Sequence, residues 1–297
     1  MSQSHVGAVL DVVNSIEIID CTDCKFKHAL ITEDSPDVYT SHYYESEKPN
    51  YISSNESEIE WWDLTYGERI SKIDSLAGYP TKNWIDIGTG PGLFLDALKV
   101  RNRIATGIEP SIQAFNHAIS KKHNVINAFF DSTLTSQLGE FDAGHLSEVL
   151  EHIPNPQGFL RIVKSVIKPG GYLCIVVPND YNPIQKIFTE NSGEAKWWLA
   201  PPFHLNYFDK ISLENLILRS GFEVVHSTVM FPIDFFLLMG DVYIGNDEIG
   251  KAAHERRKRF EHSFKSADSL DVMHSIYDAL ASIGIGRELV IFAKNPE

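Results

Sequence analysis

The stretch Trp84–Phe94, which reads WIDIGTGPGLF, decides the fold. Its first residues, Trp84 to Ile87, are mostly apolar and predict a buried strand, and the apolar run that begins at Leu93 predicts a helix. Between them, glycines stand at positions 88, 90 and 92. Glycines in such a turn let the backbone approach a ligand closely at the carboxyl edge of an open α/β sheet. The stretch therefore predicts a strand, a ligand-binding loop and a helix.

The spacing of these glycines indicates which ligand the loop binds. They form G-x-G-x-G with Pro91 in the middle, whereas the dinucleotide fingerprint is G-x-G-x-x-G and a P-loop continues with Lys and Ser or Thr. Asp86, beside the glycines, would repel a pyrophosphate but suits the amino group of a methionine moiety. Glu109, at the end of the next predicted strand, can accept hydrogen bonds from both hydroxyls of a ribose. NAD and S-adenosylmethionine (SAM) both carry such a ribose, and Asp86 favours SAM.

Hydrophobic periodicity around this loop predicts an α/β fold. Strands and helices alternate from residue 84 to residue 177, which is typical of a parallel sheet with helices on both faces. Two more strands are predicted at 222–229 and 288–293. The segment between them, 231–285, is mostly helical by periodicity, and we expect it to cover a pocket. A capping box over Ser57–Glu60 predicts the start of an amphipathic helix that leads into the first core strand.

Several motifs occur in an order that resembles class I SAM-dependent methyltransferases. They are Asp86–Gly92, Glu109-Pro110, Asp131, Phe141–Leu146 and Lys168–Gly171. The resemblance covers about residues 80–230 and the closing strand. It implies a Rossmann-like, seven-stranded, mostly parallel sheet with an antiparallel last strand, and SAM as the cofactor.

We accordingly expect four parts in the chain. They are a helical N-terminal cap segment with its lead-in helix (1–78), a SAM-binding Rossmann-like core (79–230), a helical insertion that forms a lid or substrate region (231–285) and the last core strand (286–297).

The same resemblance assigns the cofactor contacts. The glycines would line the methionine portion, Glu109 the ribose and Asp131 the adenine amine. The full predicted set is Asp86, Gly88, Thr89, Gly90, Gly92, Glu109, Pro110, Asp131 and Ser147. An alternative for Glu109 and Asp131 is that both are ordinary helix caps.

A second group of polar residues, Ser147–His152, directly follows the fourth predicted strand. If one helical turn starts there, Glu148, Glu151 and His152 share a face, because they stand at i, i+3 and i+4. Two carboxylates and an imidazole either bind a divalent cation or position a proton acceptor. His152 and the later His204 are the candidate catalytic bases.

The order E-V-x-E-H, then Pro-Asn, then a later histidine, resembles small-RNA terminal 2′-O-methyltransferases. Its first part also resembles ubiquinone-pathway O-methyltransferases. These resemblances imply a divalent metal bound by Glu148, Glu151, His152 and His204, beside the acceptor oxygen. In many small-molecule methyltransferases that look similar here, the glutamates instead bind backbone groups and the histidine lines the acceptor pocket without a metal.

The charge and hydropathy of the chain indicate which kinds of partner the protein binds. With 26 basic and 40 acidic residues the net charge is −14, which disfavours nucleic acid as a partner. No apolar run has the roughly 18 residues that a membrane span needs, and the N-terminus lacks the features of a signal peptide. We therefore expect a cytoplasmic protein without a membrane contact, whose partner is a small-molecule methyl acceptor; the oligomeric state does not follow from the sequence.

The three cysteines suggest no disulfide framework. Cys21 and Cys24 have the C-x-x-C spacing of half a zinc ribbon, and His28 and His42 are the candidates to complete a site. Because a structural zinc site needs four ligands and no second C-x-x-C occurs, we interpret the pair as a remnant or a chance pair.

Two further features bear on the acceptor. The tryptophan pairs Trp61-Trp62 and Trp197-Trp198 are either core residues or a platform for a sugar or aromatic ring. The basic run His254–Arg259 is either a solvated helix face or a contact for a phosphorylated or carboxylated substrate. The leading hypothesis is a SAM-dependent methyltransferase that modifies a small molecule, at a hydroxyl oxygen. The alternatives are a metal-assisted RNA 2′-O-methyltransferase and a non-catalytic SAM-binding partner subunit.

Overall fold

The computed structural model describes residues 5–31 and 58–296. Their strands are β1 Gly7–Val13, β2 Ile16–Cys21, β3 Lys27–Ala29, β4 Asn83–Ile87, β5 Ile104–Ile108, β6 Val125–Ile126, β7 Phe141–Ser147, β8 Ile167–Pro178, β9 Asn206–Tyr207, β10 Glu223–Val229 and β11 Glu288–Lys294. Their helices are α1 Ile59–Ala77, α2 Leu93–Val100, α3 Ile112–Ser120, α4 Ser132–Thr135, α5 Pro156–Lys164, α6 Pro183–Ser192, α7 Lys210–Arg219, α8 Phe235–Leu238, α9 Asp247–Ser266 and α10 Leu270–Ser282, with a 3₁₀ turn at Leu150–His152.

The main sheet has seven strands in the order β10-β11-β8-β7-β4-β5-β6. Strand β11 pairs antiparallel with both β8 and β10, and the pairs among β4 to β8 are parallel. The predicted Rossmann-like sheet with an antiparallel last strand is confirmed. Strand β4 lies between β5, which follows it in sequence, and β7 on its other side. The direction of strand order reverses there, so the carboxyl end of β4 is the switch point at which open α/β sheets bind ligands.

The alternation of side chains along β4 divides the core. Ile85 and Ile87 belong to the apolar cluster on one face of the sheet, and Trp84 belongs to the cluster on the opposite face, together with residues of α1 and α2. Successive side chains of a strand point to opposite faces, so Asp86 lies on the same face as Trp84. Asp86 is thereby directed toward α1 at the edge where the ligand is expected.

A second sheet precedes this core. Strands β1, β2, β3 and β9 form a four-stranded sheet, and its pairs are antiparallel. The expectation of a helical N-terminal segment is correct for α1 and wrong for residues 7–29. The reason is the β-branched runs on both sides of Asn14-Ser15, whose positive φ angles of 50° and 64° turn the chain into a hairpin.

Helix α1 begins at Ile59, preceded by Glu58, whose side chain does not cap the helix. Instead the Glu58 carboxylate accepts hydrogen bonds from His254 and Lys258 of α9, at 2.9 and 3.0 Å. Ser57, the first residue of the predicted capping box, lies outside the described residues. The contacts of Glu58 fasten α1 to the insertion.

The segment between β10 and β11 is helical, as predicted, and consists of α8, α9 and α10. The indole N–H of Trp61 on α1 donates to Glu261 on α9, at 2.5 Å. The hydroxyl of Tyr277 on α10 donates to the same carboxylate, at 2.8 Å. Among residues 5–31 and 58–296, no helix combines the length and the apolar character that crossing a bilayer requires.

Strand β9 connects the N-terminal sheet to the 3₁₀ turn. Asn206 is 3% exposed, and its amide donates to the carbonyl oxygens of Leu150 and Ile153, at 3.0 and 2.8 Å. These two carbonyls flank His152 in sequence. The Asn206 side chain therefore fixes the backbone on which His152 stands.

Replacing Asn206 by alanine removes the side-chain donor from both carbonyls, of which that of Leu150 keeps the Ile153 amide at 3.3 Å. We expect Asn206→Ala to lower the free energy of unfolding by about 1–3 kcal/mol, because a buried acceptor that loses its donor costs about that much. Urea unfolding followed by fluorescence measures the change. Asn191→Ala, at an exposed position of α6, is the matched control and should change stability by less than about 0.5 kcal/mol. Equal effects of the two variants would contradict this role of Asn206.

Candidate active site

A cavity of about 420 Å³ opens at the carboxyl ends of β4, β5 and β7, a volume within the usual range for small-molecule sites. Most of the predicted cofactor residues line it. Those in its wall are Asp86, Gly88, Thr89, Gly90, Glu109, Pro110 and Ser147. The predicted Gly92 and Asp131 lie outside the described lining.

The glycine loop is held in a conformation that needs glycine. Gly88, Gly90 and Gly92 have φ angles of 73°, 54° and 88°, in the left-handed region that other residues rarely adopt. A Cβ atom at Gly88 would lie 2.4 Å from Val149 Cγ2. The amides of Gly88 and Thr89 donate to the carbonyl of Ile108, at 2.9 and 3.0 Å, so the loop is fastened to the end of β5.

Asp86 is the centre of a buried hydrogen-bond chain. Its Oδ2 accepts from the Thr89 hydroxyl at 2.5 Å, and its Oδ1 lies 2.8 Å from His145 Nδ1. His145 Nε2 lies 3.0 Å from Nη1 of Arg69 on α1. Because a guanidinium only donates, Nε2 of His145 is the acceptor and Nδ1–H donates to Asp86. Burial lowers the pKa of His145, which is consistent with this neutral imidazole.

The sequence predicts Asp86 as a cofactor contact but does not indicate its partners. Arg69 and His145 are 5% and 2% exposed, and both line the cavity. A signal for Arg69 was present: it follows Tyr66 by three residues and precedes Ile73 by four, so it falls on the apolar face of the predicted helix. A cation on a buried face indicates a partner or a ligand.

Glu109 braces the glycine loop from β5. Its Oε2 accepts from the Gly90 amide at 2.8 Å, and its Oε1 accepts from the Ser111 amide at 2.7 Å. The cap of α3 is Ser111 itself, whose hydroxyl accepts from the Ala114 amide, so Glu109 is not the helix cap of the alternative interpretation. Glu109 is 4% exposed, and burial raises the pKa of its carboxyl to about 7.

Asp131 takes the alternative role. It is exposed, and its Oδ1 accepts from the amides of Thr133 and Leu134, at 2.9 and 2.8 Å, as the N-cap of α4. The preceding residues Ala128–Phe130 line the cavity in its place, and no motif in the sequence marks them. Gly92 is likewise a helix terminus, preceding α2, and its amide donates to the Thr89 carbonyl at 3.1 Å.

The other end of the cavity is formed by the 3₁₀ turn. His152 lines the cavity, and its Nδ1 lies 2.8 Å from the carbonyl oxygen of Phe203. A carbonyl only accepts, so Nδ1 of His152 carries a proton and donates it to Phe203. Nε2 lies 3.6 Å from Oε1 of Glu151, which is 1% exposed, and the His204 ring packs edge to face at 5.0 Å.

Three of the four predicted metal ligands are brought together. One ligand atom from each of Glu151, His152 and His204 lies within 4.8 Å of the others. Glu148 is not in this group: it is exposed and has a positive φ of 54°, so the helical turn starts only after it. The prediction that Glu148 shares a face with Glu151 and His152 is therefore wrong, although Glu148 does line the cavity.

Helices α1 and α9 complete the wall. Trp61 and Trp62 line the cavity, and Trp62 stacks on Tyr66 with ring centroids 5.2 Å apart. The pair Trp197-Trp198 lies outside the described lining, with Trp198 buried against Tyr181. The first pair thus faces the cavity, whereas in the second Trp198 is buried and Trp197 is half-buried against Phe188.

The basic run of α9 is divided in the same way. Arg256 pairs with Asp241 at 2.7 Å, and Lys258 pairs with Glu58 at 3.0 Å. Arg257, between them, lines the cavity and places its guanidinium 4.7 Å above the Trp61 ring. It is 6% exposed, and its Nε and Nη2 have no hydrogen-bond partner among the described residues.

Comparison with known proteins agrees with this architecture. Residues 65–227, more than half of the chain, match a family model described as a methyltransferase domain. The ubiquinone biosynthesis O-methyltransferase of Escherichia fergusonii is 26% identical over 185 residues, which are 52% of this chain and 76% of that protein. The corresponding enzyme of Escherichia coli is 25% identical over 213 residues, which are 62% of this chain and 85% of that protein.

Two solved structures show the same fold. A SAM-dependent methyltransferase from Archaeoglobus fulgidus aligns with a TM-score of 0.50 at 18% identity, covering 78% of this chain and 94% of that one. The plantazolicin methyltransferase BamL, solved with a desmethyl plantazolicin analogue and S-adenosylhomocysteine, aligns with a TM-score of 0.55 at 15% identity, covering 86% and 93%. With the domain match and the cavity at the switch point of the sheet, this chain belongs to the SAM-dependent methyltransferases.

Proposed function

We propose that this enzyme transfers the methyl group of SAM to a hydroxyl oxygen of a small molecule that carries an anionic group. The observation that carries the proposal is His152, a cavity-lining imidazole whose ring is oriented by the Phe203 carbonyl, 2.8 Å from Nδ1. Similarity to ubiquinone biosynthesis O-methyltransferases supports an oxygen acceptor. The lid would consist of α1 and the helices between β10 and β11.

We propose an orientation of SAM in which its charged groups meet side chains of opposite charge in the cavity wall. The zwitterionic methionine end would lie at the glycine loop, with its amino group toward the acidic Asp86 and its carboxylate toward Arg69. The ribose hydroxyls would donate to Glu109. Ala128–Phe130 would take the adenine, since Phe130 is an apolar side chain at that end of the cavity.

Methyl transfer from a sulfonium requires alignment of acceptor, methyl and sulfur and exclusion of water. A hydroxyl acceptor must also lose its proton. In the proposed step the hydroxyl oxygen forms the bond to the methyl carbon, the carbon–sulfur bond breaks, and the hydroxyl proton moves to Nε2 of His152. The carboxylate of Glu151, 3.6 Å from Nε2, would stabilise the resulting imidazolium.

The cluster of Glu151, His152 and His204 also suits a divalent cation, because one carboxylate and two imidazoles are a common ligand set for such ions. A cation bound there would lower the pKa of an acceptor hydroxyl. This is the second proposal for the same residues. His204 would then be a ligand, whereas in the metal-free proposal it packs against His152 and limits the rotation of its ring.

Arg257 supports an anionic acceptor. Its guanidinium is buried and two of its nitrogens have no hydrogen-bond partner within residues 5–31 and 58–296; the Nε lies 3.6 Å from Glu261. Leaving buried donors unpaired is costly, and a carboxylate or phosphate of the acceptor would satisfy them. The flanking rings of Trp61 and Trp62 suit a ring-containing molecule. We therefore propose a hydroxylated ring that bears a carboxylate or phosphate.

The pH dependence of S-adenosylhomocysteine binding tests Glu109. Because burial raises the pKa of this carboxyl to about 7, much of the free protein is protonated there below that pH. Ribose hydroxyls donate to the ionised form, so affinity should rise with pH up to about pH 7, by at most about tenfold per pH unit, and then level off. Titration calorimetry of the natural protein and of Glu109→Gln, which cannot ionise, gives both profiles. Parallel profiles of the two proteins would contradict the proposal.

Turnover tests His152. With SAM and pools of hydroxylated aromatic acids and phosphates, we expect release of S-adenosylhomocysteine, and His152→Gln should lower kcat by about 10²–10⁴-fold. Its affinity for S-adenosylhomocysteine should be unchanged, and raising the pH should restore part of the rate, because the acceptor then ionises without help. His226→Gln, outside the described lining of the cavity, is the matched control. A kcat for His152→Gln equal to that of this control would overturn the assignment.

Chelation separates the two proposals for His152. If the reaction uses a bound cation at this cluster, chelator removes turnover, and Glu151→Gln removes the response to added cation while Glu148→Gln keeps it. If His152 acts as the base alone, turnover persists in chelator. Binding of S-adenosylhomocysteine with no turnover on any acceptor pool would contradict both.

Substitutions of Arg257 and of its neighbour Arg256 test whether the acceptor carries an anionic group. Arg257→Met should raise the KM for the acceptor about 10–100-fold, which corresponds to the loss of a charged hydrogen bond, and leave S-adenosylhomocysteine binding unchanged. Arg256→Met removes the same charge from an arginine that pairs with Asp241, and should change neither. Weakened S-adenosylhomocysteine binding with an unchanged acceptor KM in Arg257→Met would mean that Arg257 binds the methionine carboxylate, and would overturn the proposal of an anionic acceptor.

A further inference from the structure

The N-terminal sheet brings four metal-ligating side chains to one point. His5 precedes β1, Cys21 ends β2, Cys24 lies in the following turn and His28 lies on β3. One ligand atom from each lies within 4.8 Å of all the others. None of the four belongs to the described lining of the cofactor cavity, so this cluster is separate from the catalytic site.

The distances from His5 to the two cysteine sulfurs match those between ligand atoms of a tetrahedral metal site. His5 Nδ1 lies 3.3 Å from Cys24 Sγ and 3.7 Å from Cys21 Sγ. A zinc ion with Zn–S bonds of about 2.3 Å and Zn–N bonds of about 2.0 Å places tetrahedral ligand atoms about 3.3–3.8 Å apart. The thiols and the imidazole of His5 are therefore already at the edge lengths of such a site.

His28 supplies an independent observation. It is 6% exposed, and its Nδ1 lies 3.2 Å from the carbonyl oxygen of Ala29. Since a carbonyl accepts, the proton is on Nδ1 and Nε2 carries the lone pair. That Nε2 is buried and has no hydrogen-bond partner in the described part of the chain. A ligating histidine typically donates its other ring N–H to a backbone carbonyl in this way.

The turn between the cysteines is shaped for two thiolates. The Cys24 amide points at Cys21 Sγ, 3.4 Å away, and the Lys25 amide donates to the Cys21 carbonyl at 3.0 Å. Lys25 has a positive φ of 62°. Arg219 of α7 donates to the Cys24 carbonyl at 2.6 Å, which holds the turn against the Rossmann-like core.

We propose that His5, Cys21, Cys24 and His28 bind a structural zinc ion. Two thiolates and two imidazoles form a closed tetrahedral set that zinc favours, with no open position for a substrate. The two thiolate charges neutralise the ion. The interpretation of Cys21 and Cys24 as a remnant fails because the missing ligands are histidines brought close by the fold; His42, the other histidine considered, lies outside the described residues.

The site would reinforce the wall of the catalytic cavity. Strand β3 pairs with β9, with His28 opposite Asn206, and the Ala29 amide donates to the Leu205 carbonyl at 2.8 Å. Asn206 in turn holds the turn that carries His152. Zinc would therefore stabilise the N-terminal sheet directly and the acceptor end of the cavity indirectly.

Metal analysis and cobalt substitution of the full chain test this proposal. We expect about one zinc per chain after purification, and cobalt exchanged into the site should show thiolate-to-metal charge-transfer absorption, which is a signature of Co–S bonds. Cys24→Ser and His28→Gln should lower the zinc content at least about tenfold, because each removes one of four ligands. Cys174→Ala, which removes the buried thiol of β8, is the matched control and should keep both signals.

Two further variants keep the result interpretable. His5→Gln changes an exposed residue at the edge of the sheet and should lower zinc affinity without unfolding the core, as judged by retained S-adenosylhomocysteine binding. Glu151→Gln should keep the cobalt–thiolate absorption, because that cluster has no sulfur. The proposal is overturned if protein prepared with excess zinc holds none after purification. It is also overturned if Cys24→Ser retains the zinc content of the natural protein, or if Cys21 and Cys24 are joined in a disulfide that excludes metal.

Discussion

The buried carboxylate of Asp86 is the constraint on which the site depends. It lies near the carboxyl end of β4 inside the protein, and its two oxygens are satisfied by Thr89 from the glycine loop and by His145 from β7. The Arg69 guanidinium of α1 completes the chain by donating to His145. An isolated ionised carboxylate could not remain at this depth without such partners. The same bonds that satisfy it fix the loop, the neighbouring strand and the first helix relative to one another.

The two ends of the cavity are built from different parts of the chain. The end at the glycine loop is formed by β4, β5 and the loops that follow them. The end that contains His152 also includes residues of α1 and α9, which are distant in sequence. The Asn206 side chain holds the backbone on both sides of His152, and the Phe203 carbonyl fixes the His152 ring.

Charged side chains connect α1 with the helices between β10 and β11. Glu58 accepts hydrogen bonds from His254 and Lys258, on successive turns of α9. Glu261 accepts hydrogen bonds from Trp61 of α1 and Tyr277 of α10. Arg257 lies beside Glu261, with its guanidinium over the Trp61 ring. Buried groups of this kind are stable only when paired.

The sequence by itself determined the order of strands and helices in the core and the residues of the glycine loop, because periodicity and glycine spacing are local properties. The antiparallel closing strand followed from the family resemblance. The sequence also singled out Glu109 and His152, because one ends a predicted strand and the other lies in the segment that follows one. It did not determine that residues 7–29 form strands, that Asp131 caps α4 or that a positive φ at Glu148 removes it from the cluster of Glu151, His152 and His204. Only the tertiary structure decided these points, as it decided the pairing of Arg69 with His145 and the meeting of His5 and His28 with the two cysteines. The physical reason is that a buried polar side chain is assigned its partner by packing in three dimensions, and sequence spacing records only those partners that lie within one turn or one strand.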